Sequence, residues 1–285
     1  MFSISGEGYE AVLAPEIGGS IARLSRGGRP LLRGSDQPTS PLECGCFPLV
    51  PYCNRIRDGR FTFRGREVAI VPNMTGDPSP LHGDGWLAPW SVEARDESSA
   101  TLVYRHEPGE WPWAYEARQS FRLEAEGLTA EIACTNRSPE PMPCGLGFHP
   151  YFLCDGATRI NTGVEQVWEI DDKVLPTGVA LATGRYALDG TPACARDLDN
   201  GYGGWDGDLR LVYGDGAVVR MTSPDARFFQ IYSPPFGGLL AAEPVSHANA
   251  ALNEPEEQWA ELGLLVLQPG ETMRLQMSLS SEYRT

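Results

Sequence analysis

"MRLQMSLS" at residues 273–280 sets Met273, Leu275, Met277 and Leu279 on one side of the chain and Arg274, Gln276, Ser278 and Ser280 on the other. Alternation with period two sends successive side chains to opposite faces of an extended strand, so this stretch reads as a strand half buried against a core. "LLVLQPGETMRL" (264–275) leads into it through a Pro-Gly turn, and "LRLVYGDGAVVRM" (209–221) joins two similar runs through Gly-Asp-Gly. "TLVYRH" (101–106), "SFRLEAE" (120–126, with Phe121, Leu123 and Ala125 inward) and "LTAEIACTN" (128–136) repeat the pattern. The chain spreads 32 Gly and 24 Pro over 285 residues, so no helical period is sustained without a breaker; "PEEQWAEL" (255–262) has room for a turn or two. Many short strands with frequent turns predict an all-β, antiparallel sandwich. No composition shift, linker or repeat divides the chain, which predicts one domain over residues 1–285.

The formal net charge is -15, with 38 Asp and Glu against 23 Lys and Arg, and this repels a polyanion such as nucleic acid. Lys173 is the single lysine, which leaves little scope for Schiff-base chemistry. Cysteines at 44, 46, 53, 134, 144, 154 and 194 are odd in number and form no CxxC pair, a pattern that fits a reducing compartment better than a zinc site. The opening "MFSISGEGYEAVLAPEIGG" has neither a basic nor a continuously apolar stretch, and no later segment reaches the length of a membrane span. The expectation is a cytoplasmic protein with no membrane or nucleic-acid partner. No phosphate loop, dinucleotide fingerprint or HExxH pair occurs.

Polar residues stand out against this background in a few places. "GLGFHPYFLC" (145–154) puts His149 where a strand core would hold Val or Ile. "LLAAEPVSHANAALN" (239–253) puts Glu243 at the end of an apolar run, where burial would raise its pKa. Asn54 and Arg55 follow a Pro-bounded segment at the head of a stretch with five arginines, of which Arg57, Arg60, Arg64 and Arg66 read as a solvated edge. His82 sits in the Gly-rich "LHGDGW" (81–86), while His106 and His247 read as structural. "LDNGYGGWDG" (198–207) offers Asp199, Asn200, Trp205 and Asp206, groups suited to hydrogen-bonding hydroxyls and stacking on a sugar face.

Taken in order, "NRI" (54–56) with "GRFTF" (59–63), "LHG" (81–83), "HPYF" (149–152), "LDN" (198–200) and "EP" (243–244) resemble the aldose 1-epimerase (galactose mutarotase) family. The opening "LAPEIGGSIARL" (13–24) and closing "LQPGE" (267–271) extend the similarity nearly end to end. The resemblance implies a galactose-mutarotase-like β-supersandwich and an enzyme that interconverts the α and β anomers of an aldose. It implies His149 as general acid, Glu243 as general base, and Asn54, Arg55, His82, Asp199 and Trp205 as sugar-binding residues, with Asp206 an alternative to Asp199. Neither metal nor cofactor is needed, and a monosaccharide is the partner; oligomeric state is not legible. The carboxylate is expected to bound the pH profile on the acid side and the histidine on the alkaline side. Where galactose-acting relatives often carry an arginine after "HG", this chain has "DGWLAPW", so Trp86 is expected to reshape that wall. Alternatives are a hexose-6-phosphate 1-epimerase using the arginine-rich stretch, a non-catalytic sugar-binding protein, or a glycosidase pairing Asp199 with Glu243.

Overall fold

Strand Thr272–Glu282, which carries the alternating run, lies between Gly127–Asn136 and Val218–Thr222 in a nine-stranded sheet. Leu275, Met277 and Leu279 are buried there while Arg274 is exposed, as the period-two pattern requires. The computed structural model describes residues 1–282 and contains strands and short 3-10 turns, with no α-helix among the described residues. "PEEQWAEL" forms one such turn at Glu256–Gln258.

Three local expectations change. Asp208–Val212 and Val218–Thr222 do form a hairpin, but Leu265–Leu267 does not fold back on Thr272–Glu282; it pairs with Met142–Cys144. The Pro-Gly turn wraps buried Asn136 instead, whose Nδ2 donates to the Leu267 carbonyl and whose N–H donates to the carbonyl of Glu271. Ala125 is exposed because the strand ends at Glu124, leaving Phe121 and Leu123 as the inward residues. Cys154 and Cys194 form a disulfide, their Cα atoms 5.8 Å apart, which departs from the reading of the cysteine pattern as that of a reducing compartment. Their separation of 40 residues gave no hint of it, because the approach is made by the sheet rather than by the chain. The other five cysteines are free and buried.

A second, larger sheet has eleven antiparallel strands. Across its middle the order is Cys46–Leu49, Gly147–Leu153, Leu239–Val245, Phe228–Ser233, Leu198–Gly203. One face of these strands contributes Phe148, Phe152, Leu240 and Ile231 to an apolar cluster shared with Leu102, Ile132 and Met277 of the nine-stranded sheet. Packing two sheets face to face in this way fills the core with alternate residues and frees the other face of the larger sheet for different chemistry. No helix of the described residues is long and apolar enough to cross a membrane.

Candidate active site

Strand register assembles the site on the free face. Phe47 pairs with His149, Glu243 with Gln230, Gly201 with Gln230, and Asp199 with Tyr232. The pairs Gly147–Val245 and Tyr151–Ala241 bracket His149 and Glu243, bringing the two to facing positions on adjacent strands. Pro150 and Pro244 follow them, and a residue without an N–H interrupts the ladder there. His149 Nε2 and Glu243 Oε1 are 3.1 Å apart, with side chains 9% and 4% exposed.

Two loops close over this face. Residues 50–56 and 80–85 zip together, with His82 N–H donating to the Asn54 carbonyl and Asn54 N–H donating to His82 Nδ1 at 3.1 Å. Asn54 and His82 both adopt left-handed backbone, and Gly83 (φ 74°) passes so close to Val50 that a Cβ would lie 2.1 Å from its carbonyl oxygen. Only glycine fits, so Gly83 of the "HG" dipeptide is required by the way the loops pack. The result is a cavity of about 290 Å³, near the lower end of the range usual for small-molecule sites. Its aromatic walls are Phe47, stacked on His149 at 4.5 Å, with Trp86, Tyr151 and Tyr232.

Burial dominates the electrostatics. It pushes the His149 imidazole down to about 3 and the Glu243 carboxyl well above its ordinary range; nearby Asp199 adds to the second shift and Arg55 opposes it. The pair therefore holds one proton over a wide pH span, favouring neutral imidazole with carboxylic acid over the ionised form. This reverses the limbs expected from ordinary values: the pair gains a second proton at histidine in acid and loses its last one from the carboxyl in alkali. His82 is held well below 6.5 chiefly by burial, with the Arg55 guanidinium adding to the shift, so it stays neutral. Asp199 is raised by burial, against the pull of Arg55 and the hydrogen bond from Gln230.

One atom from each of His82, His149 and Glu243 falls within a 4.8 Å span, which raises the question of a metal. Because His82 Nδ1 accepts a backbone N–H, neutral His82 carries its proton on Nε2. Metal-ligating histidines ordinarily have the opposite arrangement, donating from one nitrogen and offering the other's lone pair. His82, which lines the cavity, thus offers it an N–H rather than a lone pair. Incubation with a strong chelator is expected to leave catalytic rate unchanged, and loss of rate restored by one divalent ion would refute this reading.

Of the sequence candidates, Asn54, Arg55, His82, His149, Asp199 and Glu243 line the cavity. Trp86 lines it too, as expected. Trp205 does not: it is buried against Phe229, stacked at 4.4 Å, with its Nε1 donating to Thr162, which corrects its expected place in the site. Asp206 is also elsewhere, accepting the N–H groups of Gly163 and Asp208. Asn200, inward on the opposite face, donates to the Trp168 carbonyl. Arg57 bonds the Pro176 carbonyl, Arg60 pairs with Glu67 and Arg66 with Glu140, so these arginines build no phosphate site around the cavity. His106 and His247 are structural; His247 Nε2 accepts the Cys53 N–H, and Nδ1 meets the Ala248 carbonyl. Sequence reasoning missed Gln230 and Asp77. The lone glutamine in "FFQIYS" (228–233) was a usable signal as a polar residue inside an apolar strand, and strand register then sets it beside Glu243.

The sequence profile of the family described as aldose 1-epimerase matches residues 1–280. The uncharacterized protein YphB of Escherichia coli K12 is 34% identical over 93% of each chain, and YihR of the same organism is 25% identical over 96% of this chain and 90% of its own. A solved structure from E. coli K12, provisionally named an aldose 1-epimerase, superposes with a TM-score of 0.90 at 31% identity, covering 99% of both chains. A galactose mutarotase-like protein from Clostridium acetobutylicum shares the fold at 19% identity, with a TM-score of 0.87 over 99% of this chain and 95% of that one. The matches run the length of the chain, through the strands and loops that close the cavity, and the protein belongs to the aldose 1-epimerase family.

Proposed function

We propose that the protein is an aldose 1-epimerase that opens and recloses a pyranose ring, with Glu243 as base at the C1 hydroxyl and His149 as acid at the ring oxygen. The observation that carries this reading is the pairing of His149 Nε2 with Glu243 Oε1 at 3.1 Å in a cavity lined by aromatic rings. The two hemiacetal oxygens share one carbon, so an acid and a base this close can reach both at once. Ring opening from the ionised pair moves a proton to Glu243 and another away from His149. The ionised pair is the minor form, reached by moving the shared proton from Glu243 to His149, and ring opening recovers the cost that burial sets on forming it. Rotation about C1–C2 presents the other aldehyde face, and reclosure returns both protons. His82 Nε2–H and the Arg55 guanidinium are placed to donate to oxygens as charge develops, while Asp199, held by Gln230, accepts from a hydroxyl.

Polarimetry tests the function. Catalytic amounts should speed the approach to equilibrium from pure α and pure β aldose alike without moving the end point. A binding protein would leave the buffer rate unchanged, and a glycosidase would instead cleave a methyl hexoside. The same assay reads the proton count. Because protonation in acid is set by a histidine depressed to about 3 and deprotonation in alkali by a raised carboxyl, kcat/KM corrected for buffer should show no inflection near 6.5. A tenfold fall per pH unit above that value would mean that His149 titrates as an ordinary histidine.

A further inference from the structure

Arg55 is the one guanidinium among the described residues lining the cavity, and the fold does not leave it free. Its Nε donates to Asp77 Oδ2 at 2.9 Å, one terminal nitrogen donates to Asn54 Oδ1 at 3.1 Å, and the other lies 3.9 Å from Asp199 Oδ2. Asp77 is fixed from behind as well: its Oδ1 accepts the Ser79 N–H at 2.9 Å. The Asp77 and Arg55 side chains are only 8% and 9% exposed, so water screens the pair weakly. One cation thus stands between two carboxylates, and no second guanidinium or ammonium among the cavity's described lining residues offsets the excess. An anionic sugar entering here would find a guanidinium already bound by Asp77 and would face Asp199 at close range.

We propose that Asp77 is a positioning and specificity-determining residue. It holds Arg55 in the pose that meets sugar hydroxyls and takes up its charge from behind the cavity, leaving Asp199 without a free counter-cation there, so that the site takes uncharged aldoses and refuses sugars bearing a carboxylate or phosphate. The identification of the ligand as an aldose rests on the function proposed above. Asp77 acts through Arg55 and need not touch the substrate itself.

The test compares Asp77→Asn, which keeps the shape and the acceptor for Ser79 while removing the charge, with the unaltered protein. For a neutral aldose, KM should rise about tenfold with a smaller change in kcat, because a buried guanidinium stripped of its partner turns toward Asp199. The inhibition constant of a matching hexuronate should fall about tenfold, a response that a merely structural residue would not give. A folded variant with KM and the hexuronate constant both unchanged would overturn the proposal. Should the variant not fold, calorimetry on the unaltered protein decides: hexose should bind at least about 100-fold more tightly than the matching hexuronate or hexose 6-phosphate. Comparable affinities would overturn the proposal. Binding of hexose without accelerated anomer exchange would sink the catalytic reading and leave this one standing. Accelerated exchange without discrimination would do the reverse.

Discussion

Glu243→Gln lowers kcat for anomer exchange by at least about 100-fold, and His149→Ala does the same, since each removes one of two proton transfers that must be coupled. Glutamine occupies the glutamate volume but cannot take a proton, so the effect should appear in kcat with KM little altered. The double variant should be scarcely slower than either single one, because the acid is of little use without the base. Initial-rate polarimetry on proteins of matched circular dichroism checks this. Near-normal turnover by either variant would remove it from the mechanism. Thermal stability at neutral pH should hold or rise in Glu243→Gln, since burial raises the Glu243 carboxyl and makes folding take up a proton that the unfolded chain releases, a cost glutamine avoids.

Asp84→Ala should produce the largest loss of stability among the substitutions considered, although Asp84 is two residues from His82. Its carboxylate accepts hydrogen bonds from Tyr104, Tyr115 and His106 Nδ1, tying the loop that carries His82 and Trp86 to the nine-stranded sheet. Truncation strands these donors, and at about 1–3 kcal/mol for a buried unsatisfied group a total of about 2–4 kcal/mol is expected. That corresponds to a drop of about 3–7 °C in Tm for a chain of this size. The pH dependence has a definite sign. Burial raises Asp84, but the hydrogen bonds from His106 and the tyrosines outweigh it and hold the group below its ordinary value. Its stabilisation is therefore full above the unfolded carboxylate value of about 3.9 and lost as pH falls through the lower folded one. Burial lowers His106, but the bonds to Asp84 and to the Trp111 carbonyl outweigh it and raise the group. Its contribution is full below the unfolded value of about 6.5 and lost as pH rises through the folded one. Calorimetric Tm differences between the two proteins should be wider at pH 5.5 than at pH 9. Equal gaps at both would show that His106 is not held as a cation.

The strands were legible locally because a half-buried strand must alternate, and Leu275, Met277 and Leu279 could not be apolar on one face without implying a core opposite them. His149 and Glu243 were legible for a related reason: each is a polar residue where the local pattern calls for an apolar one. Their partnership was not. They lie far apart in the chain and meet only because two strands pair with a particular register, which local sequence does not specify. The same limit explains Trp205. A Gly-rich turn with a tryptophan suits a sugar or a core equally well, and the side chain's stacking on Phe229 was decided by which face of its sheet turned inward. Asp77 carried no signal at all, since an aspartate in "GDPSP" (76–80) is ordinary turn chemistry until the loop lays it against Arg55. The chain by itself determined what is periodic or chemically out of place, namely the strands, the turns and the polar His149 and Glu243 within apolar runs. Tertiary structure decided the disulfide, the choice of Asp199 over Asp206, the direction of the His149 shift and the confinement of Arg55. Each of these depends on distance and on exclusion of water between segments remote in sequence, and neither quantity exists until the sheets have closed.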